Sequence, residues 1–184
     1  MKKIVVLGPE STGKSTLCEQ LAAHYQSEWV PEYARAYLMT NGTEYSEADL
    51  WEIAQGQISS EDEQSSNLQN ARNNTQNDPL IKPLFIDTDL YVIKIWSEIV
   101  FNSCDNRILN GIVRRDYDLY LLCDTDLPWV ADELREYPDL QQRRKIYQFY
   151  LDAMVNQKVP WVNISGDYEE RFQKAVGAID AILR

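Results

Sequence analysis

Gly8-Pro-Glu-Ser-Thr-Gly-Lys-Ser15 is the most informative segment of this chain. It is a G-x-x-x-x-G-K-S (Walker A) motif, whose glycines let successive backbone N–H groups turn toward a phosphate. The apolar run from Lys2 to Leu7 precedes it and predicts a buried strand. Apolar residues at helical spacing follow it up to Gln26 and predict a helix. The positive end of that helix dipole faces the same phosphate, so the sequence predicts a nucleoside triphosphate site.

The motif suggests a role for each of its polar residues. We expect Lys14 to reach the β- and γ-phosphates and Ser15 to hold Mg²⁺. The other predicted ATP-binding residues of the loop are Gly8, Glu10, Ser11, Thr12, Gly13 and Thr16. ATP is therefore the expected co-substrate, and Mg²⁺ is the expected cofactor.

Composition narrows the class of protein. The chain has 184 residues, 44% of them hydrophobic, which is enough for one buried core and predicts a single domain over 1–184. A formal net charge of -11 argues against nucleic acid as the main partner. The sequence lacks an apolar run of about eighteen residues and a signal-peptide pattern, so we expect a cytoplasmic protein that does not contact membranes. Its three cysteines are widely separated and are expected to be reduced thiols.

Strand patterns alternate with helix patterns along the rest of the chain. Short strands are predicted at 29–30, 84–86, 119–123 and 161–164, and helices at 47–70, 90–101, 140–156 and 168–183. Loops are predicted at 71–78 and 128–138. This order predicts an α/β fold, with a five-stranded parallel sheet covered by helices on both faces and ligands at the carboxyl ends of the strands.

Polar side chains gather where the predicted strands end. Asp87 follows the strand at 84–86 in the manner of a Walker B carboxylate, so it can hold Mg²⁺ or take the proton of a substrate hydroxyl. Asp89 could share either task or cap the next helix. Glu32 follows the strand at 29–30 and can accept hydrogen bonds from sugar hydroxyls, while Arg35 can bind the substrate or form a surface ion pair.

The segment from about 127 to 144 is predicted to be a lid over ATP. Arg135 is its expected phosphate-binding arginine, because guanidinium groups match phosphate geometry and can arrive on a moving element. Arg143 and Arg144 either share this role or are solvated charges. Lys14, Asp87 and Arg135 are thereby the predicted catalytic residues.

Aromatic residues near the predicted site could supply a face for a substrate ring or could belong to the core. These candidates are Tyr33, Tyr45, Trp51 and Trp129. The predicted substrate-binding set is Glu32, Tyr33, Arg35, Asp89 and Trp129.

Four segments of the chain resemble the ribosylnicotinamide kinase domain of bacterial NadR-type proteins and related stand-alone P-loop kinases. They are 8–16, Glu32-Tyr-Ala-Arg35, Ile86-Asp-Thr-Asp89 and Pro128-Trp-Val-Ala-Asp-Glu-Leu-Arg135. The resemblance covers nearly the whole chain and implies a P-loop NTPase fold like that of nucleoside monophosphate kinases. It also implies ATP-dependent phosphorylation of the ribose 5′-hydroxyl of nicotinamide riboside, giving nicotinamide mononucleotide in NAD salvage.

The same resemblance implies residue roles. Lys14 and Ser15 would serve ATP and Mg²⁺, Asp87 would be the metal or base carboxylate, Glu32 would contact the ribose, and Arg135 would belong to the lid. Two positions depart from the family pattern. Pro31 stands where an aromatic residue is expected, which leaves the partner of the nicotinamide ring unassigned, and Glu133 replaces a usual glycine.

Other functions remain open at this point. The phosphate loop and Asp87 would serve a kinase for another nucleoside or small alcohol equally well. In a nucleotide-dependent regulatory ATPase or switch, Glu32 and Asp87 would position water instead. The adenylyltransferase and DNA-binding regions of longer relatives are not in this sequence, so we expect the reaction to stop at the mononucleotide. The oligomeric state also stays open.

Overall fold

The computed structural model describes the backbone of residues 1–74 and 82–184, and the side chains of 1–71 and 82–184. Five strands form one parallel sheet in the order β2-β3-β1-β4-β5, as the sequence predicts. The strands are β1 (Lys3–Leu7), β2 (Trp29–Val30), β3 (Leu84–Asp87), β4 (Leu119–Cys123) and β5 (Trp161–Ile164). Because β1 lies between β3 and β4, the loop that follows β1 opens at the centre of the carboxyl edge of the sheet.

Seven helices are assigned within the described residues. They are α1 (Lys14–His24), α2 (Tyr33–Asn41), α3 (Glu47–Asn74), α4 (Leu90–Phe101), α5 (Asn106–Arg114), α6 (Leu140–Asn156) and α7 (Tyr168–Leu183). Helices α2 and α5 are absent from the sequence prediction. Helix α3 extends past the predicted end, into the loop predicted at 71–78; the rest of that loop, from 75 onward, lies outside the described residues.

Helices cover both faces of the sheet. Along β1 the side chains alternate, so that Ile4 and Val6 pack in the core beneath α1 and α7, while Val5 and Leu7 pack in the core beneath α4 and α6. A third apolar cluster joins α3, α4 and α5. Within the described residues, none of the helices has the length and apolar character needed to span a membrane.

Candidate active site

The loop between β1 and α1 depends on two glycines. Gly8 has φ 140°, and a Cβ there would lie 2.6 Å from the carbonyl oxygen of Cys123 at the end of β4. Gly13 has φ 76° in the left-handed region, and its carbonyl accepts a hydrogen bond from Leu17 N at 3.0 Å, which starts α1. The glycines thus allow the loop to turn tightly against the sheet and to present the N-terminus of α1.

Arg171 of α7 holds this loop from behind. Its side chain is buried, with 3% exposure. The guanidinium donates to the backbone carbonyls of Thr12 at 2.9 Å, Gly166 at 2.8 Å and Asp124 at 2.9 Å, and it pairs with the Asp126 carboxylate. The phosphate loop is therefore tied to the loop that follows β4. Sequence reasoning missed Arg171, although an arginine among the apolar positions of the last helix was a usable signal.

Asp87 ends β3 beside the start of α1. Its side chain is 1% exposed, and its Oδ2 accepts a hydrogen bond from Ser15 Oγ at 2.5 Å. Its Oδ1 has no hydrogen-bond partner among the described residues. Burial, and secondly the nearby Glu32 carboxylate, raise the pKa of Asp87 to about 6, although Lys14 and the Ser15 hydrogen bond act in the opposite direction.

These atoms fit Mg²⁺. Ser15 Oγ and Asp87 Oδ1 are hard oxygen donors, and Asp87 Oδ1 is buried and unpartnered. Mg²⁺ is commonly held by one or two protein oxygens together with nucleotide phosphates and water. In the described part of the chain, no group of three or more His, Cys, Asp or Glu residues could hold a metal ion. The site is thus suited to a magnesium ion that arrives with the nucleotide.

A cavity of about 480 Å³ extends from the phosphate loop and Asp87 to a wall made by α2, α4 and α6. Helix α4 contributes Val92, Ile95, Trp96 and Ile99, which share one helical face. The other apolar residues of the wall are Ala34, Leu38, Ile146 and Tyr150. The wall formed by these helices can therefore contact an apolar group.

Acidic side chains outnumber basic ones along the cavity. The acids are Glu10, Glu32, Asp87, Asp132 and Glu136, and the bases are Lys14, Arg35 and Arg135. Arg35 lines the cavity but its guanidinium is paired with the Asp132 carboxylate at 3.2 and 2.8 Å. This pair links α2 to the lid segment, and it leaves Glu10, Glu32, Asp87 and Glu136 against Lys14 and Arg135 along the cavity.

The lid segment between β4 and α6 rests against the phosphate loop. Val130 N donates to Ser11 Oγ at 3.0 Å, and Arg135 Nη1 lies 3.4 Å from the same oxygen. The Glu10 carboxylate accepts backbone N–H groups from 136–137, the first at 3.0 Å. Glu10 is thus a tether for the lid, a role that the sequence analysis did not foresee.

Two predicted substrate-binding residues point away from the cavity. The Tyr33 ring packs on α3 at Gly56, where an added Cβ would lie 2.1 Å from Tyr33 Cε1. Asp89 is buried and caps α4, because its carboxylate accepts hydrogen bonds from Tyr91 N at 3.0 Å and Tyr120 Oη at 3.2 Å. Neither residue lines the cavity, so the prediction that they bind substrate has no support from its geometry.

Trp129 also lies outside the cavity wall. Its ring stands under two guanidinium groups, that of Arg135 at 6.0 Å and that of Arg143 at 5.3 Å. Arg143 is buried, and its Nε and Nη1 have no hydrogen-bond partner in the described part of the chain. Arg144 is exposed. Of the three predicted lid arginines, Arg135 lines the cavity and the other two do not. Trp129 packs against Arg135 and Arg143 and does not line the cavity.

The loop, the buried carboxylate and the strand order define a P-loop NTPase fold of the nucleoside monophosphate kinase type. The chain belongs to the AAA domain family, whose model matches residues 3–171.

Individual relatives are consistent with this fold. The chain is homologous to the "Trifunctional NAD biosynthesis/regulator protein NadR" of Salmonella typhimurium, with 22% identity over 191 residues that cover 100% of this chain and 43% of that protein. It therefore spans less than half the length of the curated relatives that it matches. A crystal structure of NadR protein in complex with NR superposes with a TM-score of 0.74 and 20% identity, over 99% of this chain and 49% of that one. Thymidylate kinase from Ehrlichia chaffeensis gives a TM-score of 0.64 and 12% identity, over 97% and 98% of the two chains. At these identities the two structures establish the fold alone.

Proposed function

We propose that this protein is a kinase that transfers the γ-phosphoryl group of ATP to the ribose 5′-hydroxyl of nicotinamide riboside. The observation that carries the proposal is that a phosphate loop and a buried carboxylate open onto an apolar, acidic wall within one cavity. Nicotinamide riboside has a flat pyridinium ring with a positive charge, so it matches both properties of that wall. The relative crystallised with NR supports the same acceptor.

Different residues of the cavity have different roles in phosphoryl transfer. Backbone N–H groups of the loop and the Lys14 ammonium hold the β- and γ-phosphates, and Arg135 of the lid neutralises charge on the transferring group. Glu32 lies half-buried beyond Asp87 and accepts hydrogen bonds from the ribose hydroxyls. Mg²⁺, when bound with ATP, supplies further charge neutralisation at the phosphates.

Asp87 stands between the two substrates. Ser15 binds one of its oxygens, and the free oxygen is the candidate to orient the 5′-hydroxyl or to hold the magnesium ion. Because the transfer is largely dissociative, orienting the hydroxyl matters more than removing its proton early. Ionised Asp87 is the form that can act in either role.

The test is ADP release by the purified protein with Mg·ATP and a panel of acceptors. Nicotinamide riboside, adenosine, uridine, thymidine and no acceptor are compared, and the product is identified by mass spectrometry. We expect release that depends on nicotinamide riboside and yields the mononucleotide. Release with another nucleoside would identify that nucleoside as the acceptor in place of nicotinamide riboside. Release without an acceptor would favour the regulatory ATPase. The Lys94→Ala variant is a control, since Lys94 forms a helix-surface ion pair with Glu98 and does not line the cavity.

A further inference from the structure

Trp96 of α4 is held in the cavity wall by a side chain behind it. Its indole Nε1 donates to the Tyr45 hydroxyl at 2.8 Å, and the two ring centroids are 4.7 Å apart. Phe101 also packs against Tyr45, with ring centroids 6.1 Å apart. The polar edge of Trp96 is therefore satisfied within the protein, and the half-buried ring is fixed in one orientation.

The same hydroxyl reaches a carboxylate of the lid. Tyr45 Oη lies 3.3 and 3.4 Å from the two carboxylate oxygens of Glu136, which lines the cavity. A phenol hydroxyl can accept from the indole and donate to the carboxylate at once. Burial raises the pKa of Tyr45 to about 12, and Glu136 adds to the rise, so the hydroxyl keeps its proton. One hydroxyl thus links the exposed Glu136 carboxylate to the Trp96 indole.

The other aromatic residues that line the cavity either pack in the core as well or belong to the lid. Trp29 packs against the core beneath α1 and α7, and Tyr150 is buried in the core beneath α4 and α6. Tyr137 belongs to the lid, where its backbone N–H binds Glu10. Pro31 lines the cavity without offering an aromatic face. Among the described residues, Trp96 best combines exposure to the cavity with an anchored ring.

We propose that Trp96 receives the planar ring of the acceptor and that Glu136, positioned through Tyr45, selects a positively charged ring over a neutral one. The proposal rests on the proposed function for the identity of the acceptor. An indole face and a nearby carboxylate each stabilise a cation, and both effects grow as the cavity loses water. Neutral nucleosides of the same size would gain only the apolar contact.

Steady-state kinetics of Trp96→Leu and Trp96→Phe test the ring contact. We expect Trp96→Leu to raise the KM for nicotinamide riboside at least tenfold while the KM for ATP stays within twofold, and Trp96→Phe to lie between it and the wild type. Trp161→Leu is the matched control, because Trp161 is a half-buried tryptophan of β5 that does not line the cavity, and it should leave both KM values within twofold. An unchanged KM for nicotinamide riboside in Trp96→Leu, or equal changes in the KM values of both substrates, would overturn the assignment.

Charge selection needs a second comparison. Nicotinamide riboside and its 1,4-dihydro form share the sugar and the carboxamide but differ in ring charge. We expect Glu136→Gln and Tyr45→Phe each to lower the ratio of kcat/KM for the charged over the neutral form about fivefold to tenfold. The lid tether is retained in Glu136→Gln, because Glu136 binds Glu10 through its backbone N–H at 3.0 Å. An unchanged ratio would refute the role of Glu136 in selection.

Failure of the proposed function has its own signature. If the wild type turns over only another nucleoside, the acceptor is wrong, and Trp96→Leu is then tested with that nucleoside. A raised KM there would support the ring contact and reject the selection of charge. If no nucleoside is turned over, the panel is titrated by calorimetry in the presence of Mg·AMP-PNP. Nucleoside binding that Trp96→Leu weakens would support the ring contact. Binding that is absent, or that Trp96→Leu leaves unchanged, would overturn it.

Discussion

Asp87→Asn should stabilise the protein while it lowers turnover about a hundredfold or more. The carboxyl group of Asp87 is 1% exposed, and its pKa is raised from 3.8 to about 6, first by burial and then by Glu32. The folded protein therefore binds this proton more tightly than the unfolded chain does. A group of this kind contributes stability that is fully present below the unfolded pKa, near 4, and is lost as the pH rises through the folded pKa, near 6.

The size of the effect follows from the shift. A rise of about two pKa units corresponds to about 3 kcal/mol of stability lost once the carboxyl is ionised in both states. Asparagine keeps an acceptor oxygen for Ser15 Oγ and carries no charge, so the substitution removes this loss. Allowing about 1 kcal/mol for a weaker hydrogen bond, we expect the free energy of unfolding to rise by about 2 kcal/mol at pH 7.5 and to be equal to that of the wild type, or slightly lower, near pH 4.

Urea unfolding monitored by tryptophan fluorescence at pH 4.5, 6 and 7.5 measures this difference without nucleotide or Mg²⁺. Asp118→Asn is the control, since the Asp118 carboxylate binds Lys2 Nζ at 2.9 Å and Lys3 N at 2.8 Å, so its loss should destabilise the protein slightly. A variant at Asp87 that is less stable than the wild type at pH 7.5, or a difference that does not vary with pH, would refute the reasoning. In parallel, turnover should fall by about a hundredfold or more.

Further substitutions separate the parts of the site. Lys14→Ala should lower kcat/KM by about a thousandfold without changing the circular dichroism spectrum, and retained turnover would contradict the phosphate-loop assignment. Asp89→Asn should keep turnover within about threefold of the wild type, because asparagine can still cap α4 outside the cavity; kinetics check this. Arg171→Met strands three backbone carbonyls and should lower the free energy of unfolding by about 3 kcal/mol and raise the KM for ATP, as urea titration and kinetics would reveal. Glu32→Gln removes a like charge and should lower the pKa of Asp87. The acidic limb of the plot of kcat/KM against pH should therefore move to lower pH than in the wild type, and a move to higher pH would contradict this.

The sequence predicted the five strands because each is a short apolar or β-branched run followed by polar residues or a turn. It missed α2 and α5, which have nine residues each and bury few side chains: Ala34 and Leu38 are the buried residues of α2, and Ile108 is that of α5. The omission of α2 has a direct consequence in the site. Successive residues of a helix point about 100° apart, so a helix that begins at Tyr33 sends Tyr33 toward α3 while Glu32 faces the cavity.

Local patterns located the loop and Asp87, since both are defined by a motif or by the end of a strand. The contacts that complete the site join distant parts of the chain, such as Arg171 with Thr12 and Glu10 with 136–137. Nothing in the sequence near Glu10 distinguishes a lid tether from a phosphate neighbour. Trp96 likewise became a candidate only when the fold placed α4 against the cavity.

The charges of the cavity couple the acceptor to the carboxylate at its centre. Glu32 disfavours the ionised form of Asp87, which is the form able to orient a hydroxyl or hold Mg²⁺. A positive charge that enters the acceptor end acts in the opposite direction, and so does the ammonium group of Lys14. A cationic acceptor therefore favours the working state of Asp87 as it binds, whereas a neutral acceptor of equal size does not. The acidic wall therefore does more than attract a cation, because it raises the pKa of a buried carboxylate that already has a high pKa through burial, and a cationic substrate lowers that pKa again.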